Sequence, residues 1–203
     1  MGTTWSVSLV ASRQRDLHPL HAGIQARLDE VVAQMSTWES GSDLSRYNRS
    51  EAGQWCRLPA ETRQVLACAQ AIAATSEGAF DPTLGPLVAL WGFGAHAGER
   101  RQPDAATLQA TRDRCGWQRL QWQDDALLQP GGLELDLSAI AKGFGVDHVA
   151  AWLRAQGIAA ALIEVGGELA GYGRKPDGQP WRVLVESAPE EDAHTGTCLL
   201  YTS

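Results

Sequence analysis

The chain has 203 residues, 44% hydrophobic and 20% charged, an ordinary balance for a globular protein with room for one sizeable domain or two small lobes. Its net charge of −7 argues against a nucleic-acid binder, because phosphate backbones demand a basic face. No apolar run reaches the roughly 18 residues of a membrane-spanning helix, and the four Cys, at 56, 68, 115 and 198, include no C-x-x-C pair, so they are expected to be unpaired, buried thiols.

Trp5 to Val10 alternates apolar and polar residues and predicts a half-buried strand. Ile24, Leu28, Val31, Val32 and Met35 recur at helical spacing and predict an amphipathic helix over 20–37. Residues 40–53 are polar and turn-rich, with one helical turn over 43–48. A second helix is predicted over 60–76, apolar at Val65, Leu66, Ala69, Ile72 and Ala73, with Gly78 placed to end it. Pro82 and Pro86 then hold the chain in irregular or short helical turns. A third helix over 104–114 takes Asp104 as its N-cap. Short strands follow over 119–123, 126–129 and 133–137. A long helix over 138–156 carries Ile140, Phe144, His148, Ala151, Trp152 and Ala155 on one side, and Gly157 closes it. Residues 159–165, 169–173 and 181–186 read as three more strands. Helices and strands mix without a βαβ repeat, so the expected class is α+β, a largely antiparallel sheet packed by helices.

The segment Leu135 to Gly143 points most directly to chemistry. An apolar strand ends in Asp136, a small-residue turn follows, and a helix opens with Lys142 and Gly143. A helix N-terminus offers free N–H groups and a partial positive charge, which suit phosphate. Lys142 adds a point charge that reaches a pyrophosphate, Gly143 permits close approach, and Asp136 suits a hydroxyl, a base edge or a metal-bound water. An ordinary buried junction with a surface Lys gives the same pattern. Eight Trp offer stacking surfaces, with core packing the default for most of them. The five His show no metal-ligand spacing, and His148 reads as core or partner-facing. There is no G-x-S-x-G elbow and no G-x-x-x-x-G-K-[ST] phosphate loop.

Leu135 to Gly143 is the fourth of five separated blocks. Before it stand Met1-Gly2-Thr3-Thr4-Trp5, then Met35 to Trp38 with Asp43 to Asn48, then Glu77 to Leu87 with Trp91-Gly92-Phe93-Gly94; Glu164-Val165-Gly166-Gly167-Glu168 follows it. In these blocks, in this order from Met1 to about residue 186, the chain resembles the ApbE family of FAD:protein FMN transferases. The resemblance implies a two-lobed, T-fold-like α+β domain over 1–188 with the flavin between the lobes. It implies FAD as substrate, one Mg²⁺ as cofactor, attachment of FMN to a Ser or Thr of a target protein through a phosphoester, and release of AMP. An FAD pyrophosphatase that yields FMN and AMP, or a flavin-binding module without turnover, stand as alternatives. Carried over residue by residue, Met1 and Trp38 match flavin contacts. Ala79, Phe80 and Asp81 match an FAD-contacting stretch, in which Asp81 accepts hydrogen bonds or nucleates the turn before Pro82. Asp136 and Lys142 match an FAD-contacting acid and base, and Ala139 matches a carbonyl ligand of Mg²⁺. Gly166-Gly167-Glu168 reads as a structural bend, and no residue is assigned as the catalytic group.

The implied partners are flavoprotein subunits of membrane redox complexes, with no nucleic acid, and with the membrane reached only through a lipid anchor. The family places its Met-Gly-Thr after an export segment; here that Met is residue 1, so the sequence is expected to begin late and the full-length protein to be periplasmic or anchored to the inner membrane. The family's His-x-x-Asp-Pro-x-Thr-Gly segment and its downstream Asp and Thr, further ligands of Mg²⁺, are not in this sequence. The chain is therefore expected to be truncated, to bind Mg²⁺ poorly alone, and to end in a non-native or disordered tail over 189–203.

Overall fold

The computed structural model describes residues 2–95, 98 and 102–184, and the backbone of Thr197–Leu200. Met1 and its expected flavin contact lie outside the described residues. In chain order the elements are β1 (Trp5–Leu9), α1 (His18–Met35), α2 (Asp43–Asn48), β2 (Trp55–Arg57), α3 (Ala60–Thr75), α4 (Gly85–Leu90), α5 (Ala105–Arg112), β3 (Trp122–Gln123), β4 (Ala126–Leu128), α6 (Ala141–Ala155), β5 (Ala161–Val165), β6 (Glu168–Tyr172), β7 (Trp181–Leu184) and β8 (Thr197–Leu200). A 3₁₀ turn over Trp117–Arg119 precedes β3. Every ladder is antiparallel. None of the described helices is long and apolar enough to cross a membrane. The chain divides into two compact units, one formed by residues 1–28 and 142–203, the other by residues 29–141.

In the first unit the sheet order is β1-β5-β6, with Trp5 opposite Val165 and Val165 opposite Glu168. Ala161, Ile163 and Val165 of the central β5 are buried and alternate with half-buried residues, the pattern of a strand with one face on a core. That core joins them to Leu20, Ile24 and Leu28 of α1 and Val146, Val149 and Leu153 of α6. Of the side of α6 that carries Phe144, His148, Ala151 and Trp152, Trp152 packs against this core. Those residues are half-buried or exposed, and the buried stripe is Ala141, Val146, Val149, Ala150 and Leu153. On the flank of that stripe Phe144 stacks on His148 at 5.5 Å. Trp181 of β7 is buried and donates its indole N–H to the Tyr172 carbonyl at 3.0 Å. Of the tail over 189–203, the described part is β8, whose backbone pairs with β7.

In the second unit the sheet order is β2-β4-β3. Asp104 caps α5 as its sequence predicts, accepting from the Thr107 N–H at 2.9 Å. Gly78, at φ +86°, follows the end of α3 and donates to the Ala73 carbonyl at 2.8 Å. Three local expectations change. The strand expected over 119–123 is a 3₁₀ turn followed by the two residues of β3. Residues 133–137 form no ladder; a single parallel bridge joins Glu134 to Leu84. The expected helix over 138–156 begins at Ala141, because residues 138–140 form a turn in which the Leu137 carbonyl accepts from both Ile140 and Ala141. The described thiols are free as expected but not buried: Cys68 is exposed, and Cys56 and Cys115 are half-buried, while the Cys198 side chain lies outside the described residues. Of the Trp residues, Trp181 is buried, Trp5 and Trp152 are half-buried against the core of the first unit, and Trp38, Trp55 and Trp91 are exposed.

Candidate functional site

Residues 134–136 run through the second unit as a strand without a sheet. On one flank the side chain of Asn48 donates from Nδ2 to the Leu135 carbonyl at 2.9 Å and accepts at Oδ1 from the Leu135 N–H at 2.8 Å. On the other, the Asp136 N–H donates to the Pro82 carbonyl at 2.9 Å. Gly85 makes this approach close: a Cβ there would stand 2.9 Å from the Glu134 carbonyl oxygen. The segment Ala79 to Asp81 and the acid Asp136 are thereby brought into one neighbourhood.

Beside them opens a cleft of about 380 Å³, walled by Thr37, Asn48, Arg49, Ala89, Arg114 and Glu134. It continues into a narrower recess lined by Gly85, Phe93, Leu135 and Asp136. Arg114 pairs with Glu134 at 2.6 Å, so the wall carries both signs of charge. Phe93 is 52% exposed at the rim. Thr37, Asn48, Phe93 and the Arg114–Glu134 pair were not singled out as site residues by the sequence; the block Asp43 to Asn48 and the Trp91 to Gly94 run were the signals available.

Asp136 is half-buried, and its Oδ1 accepts from the Ser138 N–H at 2.8 Å, which leaves Oδ2 for another donor. Ala139 is exposed in the following turn. Asp81 is more committed. Oδ1 accepts from the Thr83 N–H at 2.8 Å and the Thr83 hydroxyl at 2.6 Å, and Oδ2 from the Trp117 N–H at 3.1 Å. Its carboxylate thus forms the turn before Pro82, the structural role expected of it beside the ligand contact. Burial, the larger cause, and the nearby Asp81 charge together push the pKa of the Cys115 thiol up and so disfavour its ionisation.

Trp38 is 72% exposed on a loop that is itself pinned. Ser36 Oγ accepts from the Trp38 N–H at 3.1 Å and the Glu39 N–H at 3.3 Å, and the Ser36 carbonyl accepts from Ser42 and Ser45 hydroxyls at 2.6 and 3.1 Å. The result is a flat ring presented from a rigid base.

Lys142 belongs to the first unit. Its Nζ donates to the Gly166 carbonyl at 3.2 Å and lies 3.5 Å from a Glu168 carboxylate oxygen, so the Lys and the Gly-Gly-Glu bend form one cluster. The bend needs its glycines: Gly166 (φ +55°) and Gly167 (φ +92°) are left-handed, and a Cβ on Gly166 would press on Thr3 at 2.8 Å. The Gly167 N–H donates to Glu164 at 2.8 Å. Gly143 faces open space, so it serves no close approach within the described residues.

Ala139 is the one Mg²⁺ donor carried over from the resemblance. Among the described residues, no group of three or more His, Cys, Asp or Glu is gathered for a metal. On their own these residues therefore do not fit the ion, which takes about six oxygen ligands.

An α+β chain of two units with antiparallel sheets, one unit holding a cleft beside a pinned acid and an exposed Trp, is the class defined by the fold and this site. A sequence model of the ApbE family matches residues 1–202, and the chain belongs to that family. The FAD:protein FMN transferase of Vibrio cholerae is 38% identical over 188 residues, which cover 92% of this chain and 56% of that protein. The enzyme of the same name from Salmonella typhimurium is 35% identical over 197 residues, again 56% of its length. The apo flavinyl transferase ApbE of Pseudomonas stutzeri superposes with a TM-score of 0.87 at 40% identity, over 91% of this chain and 62% of that one. The chain thus spans about half the length of the curated relatives it matches.

Proposed function

We propose that this chain carries the flavin-holding part of an FAD:protein FMN transferase. The observation that supports this most is the joining of the Ala79 to Asp81 segment to Asp136 through the Asp136–Pro82 hydrogen bond, beside an open cleft, in a member of the ApbE family. In this reaction a Ser or Thr hydroxyl oxygen of the target attacks the FMN-side phosphorus of FAD. The bond from that phosphorus to the bridging oxygen breaks, AMP leaves, and the hydroxyl proton is released. Positioning and charge neutralisation carry most of such a phosphoryl transfer.

The chain's own residues supply the positioning. Trp38 offers a ring to a flavin or adenine plane. The backbone at Ala79 and Phe80 reads a ligand edge, and Asp136 Oδ2 accepts from a ligand hydroxyl or base edge. A phosphate that recruits Lys142 draws its ammonium from the Gly166 carbonyl and a half-exposed Glu168, neither of which holds it strongly. The reading includes Mg²⁺, with Ala139 one ligand among several. The family resemblance also supports a periplasmic, lipid-anchored protein acting on flavoprotein subunits of membrane redox complexes.

The test is intact mass of a Thr-bearing acceptor domain after incubation with FAD, Mg²⁺ and this chain, beside the chain continued through the C-terminal part of its Vibrio cholerae relative. A gain of one FMN with the continued chain is the expected result. AMP release without that gain marks an FAD pyrophosphatase, and FAD binding without either product marks a binding module.

A further inference from the structure

The block Asp43 to Asn48 contributes to the family resemblance, yet none of its residues is a flavin or metal contact carried over from it. In the structure it is α2, and two side chains one turn apart act on the backbone of other segments. Ser45 Oγ donates to the Ser36 carbonyl at 3.1 Å, on the loop that carries Trp38. Asn48 takes both polar groups of Leu135, donating at 2.9 Å and accepting at 2.8 Å. An amide that binds the N–H and the C=O of one residue stands in for a neighbouring strand. Leu135 is fully buried and lies in no ladder, so without Asn48 a buried donor and acceptor would both go unpaired.

The helix that carries Asn48 has little freedom. Ser42 caps its start, accepting from the Ser45 N–H at 3.0 Å. Tyr47, buried, donates its hydroxyl to the Leu128 carbonyl at 2.9 Å, and its own carbonyl accepts from Gln129 Nε2 at 3.2 Å. Gln129 in turn binds the Leu133 carbonyl at 3.0 Å. Short polar bonds therefore run from the protein core through α2 to the residue before Asp136. Asn48 also lines the cleft, but its donor and acceptor are turned to Leu135.

We propose that Asn48 is a positioning residue of the flavin site, whose amide fixes Leu135 so that Asp136 and the turn to Ala139 hold their ligand-binding geometry. The proposal rests on the flavin reading given above. An Asp at this position keeps the acceptor and loses the donor while ionised; protonated, it regains a donor. A Leu of similar size loses both.

The test is FAD affinity of the chain, Asn48→Leu and Asn48→Asp between pH 4 and 8, with thermal unfolding of each. Asn48→Leu weakens binding about tenfold or more at every pH, the effect of a lost polar pair. Asn48→Asp binds as weakly at pH 8 and recovers as its carboxyl protonates. Glu134, Asp136, Arg49 and Arg114 share the cleft, so Thr37→Asp serves as the control for added charge alone. Recovery in Asn48→Asp that clearly exceeds that in Thr37→Asp supports the clamp; equal recovery overturns it. If Asn48→Leu fails to fold, Asn48→Asp decides the matter by its acid-form rescue. Unchanged FAD affinity in both Asn48 variants overturns the positioning role alone. No FAD binding by the unaltered chain overturns the flavin reading, and this proposal with it.

Discussion

Trp38 shows how much one residue discloses in sequence and how much waits for the fold. Its place in an ordered block carries the expectation of a flavin contact, whereas a Trp at a helix end is by default a core residue. The structure gives it 72% exposure, so its removal leaves the core untouched. Trp38→Ala is expected to weaken FAD binding by about 1–3 kcal/mol, the range of an aromatic–base stack, with an unchanged melting temperature; flavin fluorescence titration and a thermal melt read the two effects. Asp81 illustrates the opposite case. Its family match and its turn-forming role were both legible, and the bonds to Thr83 and Trp117 show how the carboxylate builds the turn. The thiols separate in the same way. Cys68 is exposed, while burial and the Asp81 charge push the Cys115 thiol up, so less thiolate forms there at a given pH. Iodoacetamide at pH 8 is expected to label Cys68 first and Cys115 markedly later, as followed by peptide mass.

At the scale of elements, regular periodicity carried the reading and surrogate pairing defeated it. α1 and α3 were legible because a helix satisfies its own backbone and their apolar spacing matches one period, α5 because Asp104 caps it, and β5 because its apolar run marks a strand between neighbours, here β1 and β6. Residues 133–137 have the composition of a strand, but their partners are an Asn side chain and a proline carbonyl, which no local pattern announces. β2 was not anticipated because Trp55 and Arg57 are exposed around a half-buried Cys56, so no apolar alternation exists. The buried stripe of α6 was not singled out because its residues are small or aliphatic beside large aromatic ones, of which Trp152 lies so close to Gly23 of α1 that a Cβ there would overlap the ring. Gly23→Ala is expected to cost about 1–3 kcal/mol, the usual range for overpacking; denaturant unfolding measures it, and an unchanged midpoint would mean that the indole swings aside freely.

At the scale of the whole molecule, the class and the antiparallel sheets were legible from the absence of βαβ alternation, and the ordered blocks carried the family. The metal expectation rests on Ala139 alone, and among the described residues no group of three or more His, Cys, Asp or Glu is gathered. Titration calorimetry of the 203-residue chain with Mg²⁺ is expected to show no stoichiometric tight binding; a sharp one-to-one transition would place additional ligands that Ala139 does not supply. The division of the chain has a consequence for biosynthesis. Residues 29–141 form one uninterrupted unit, whereas β1 and the first turns of α1 belong to a unit whose central strand is Ala161–Val165. On a ribosome, which extends the chain from its N-terminus, the inserted unit is complete before β5 exists. β1, made before that unit, thus waits for β5 until the unit is complete, and until then its edge is open to any other chain that offers one.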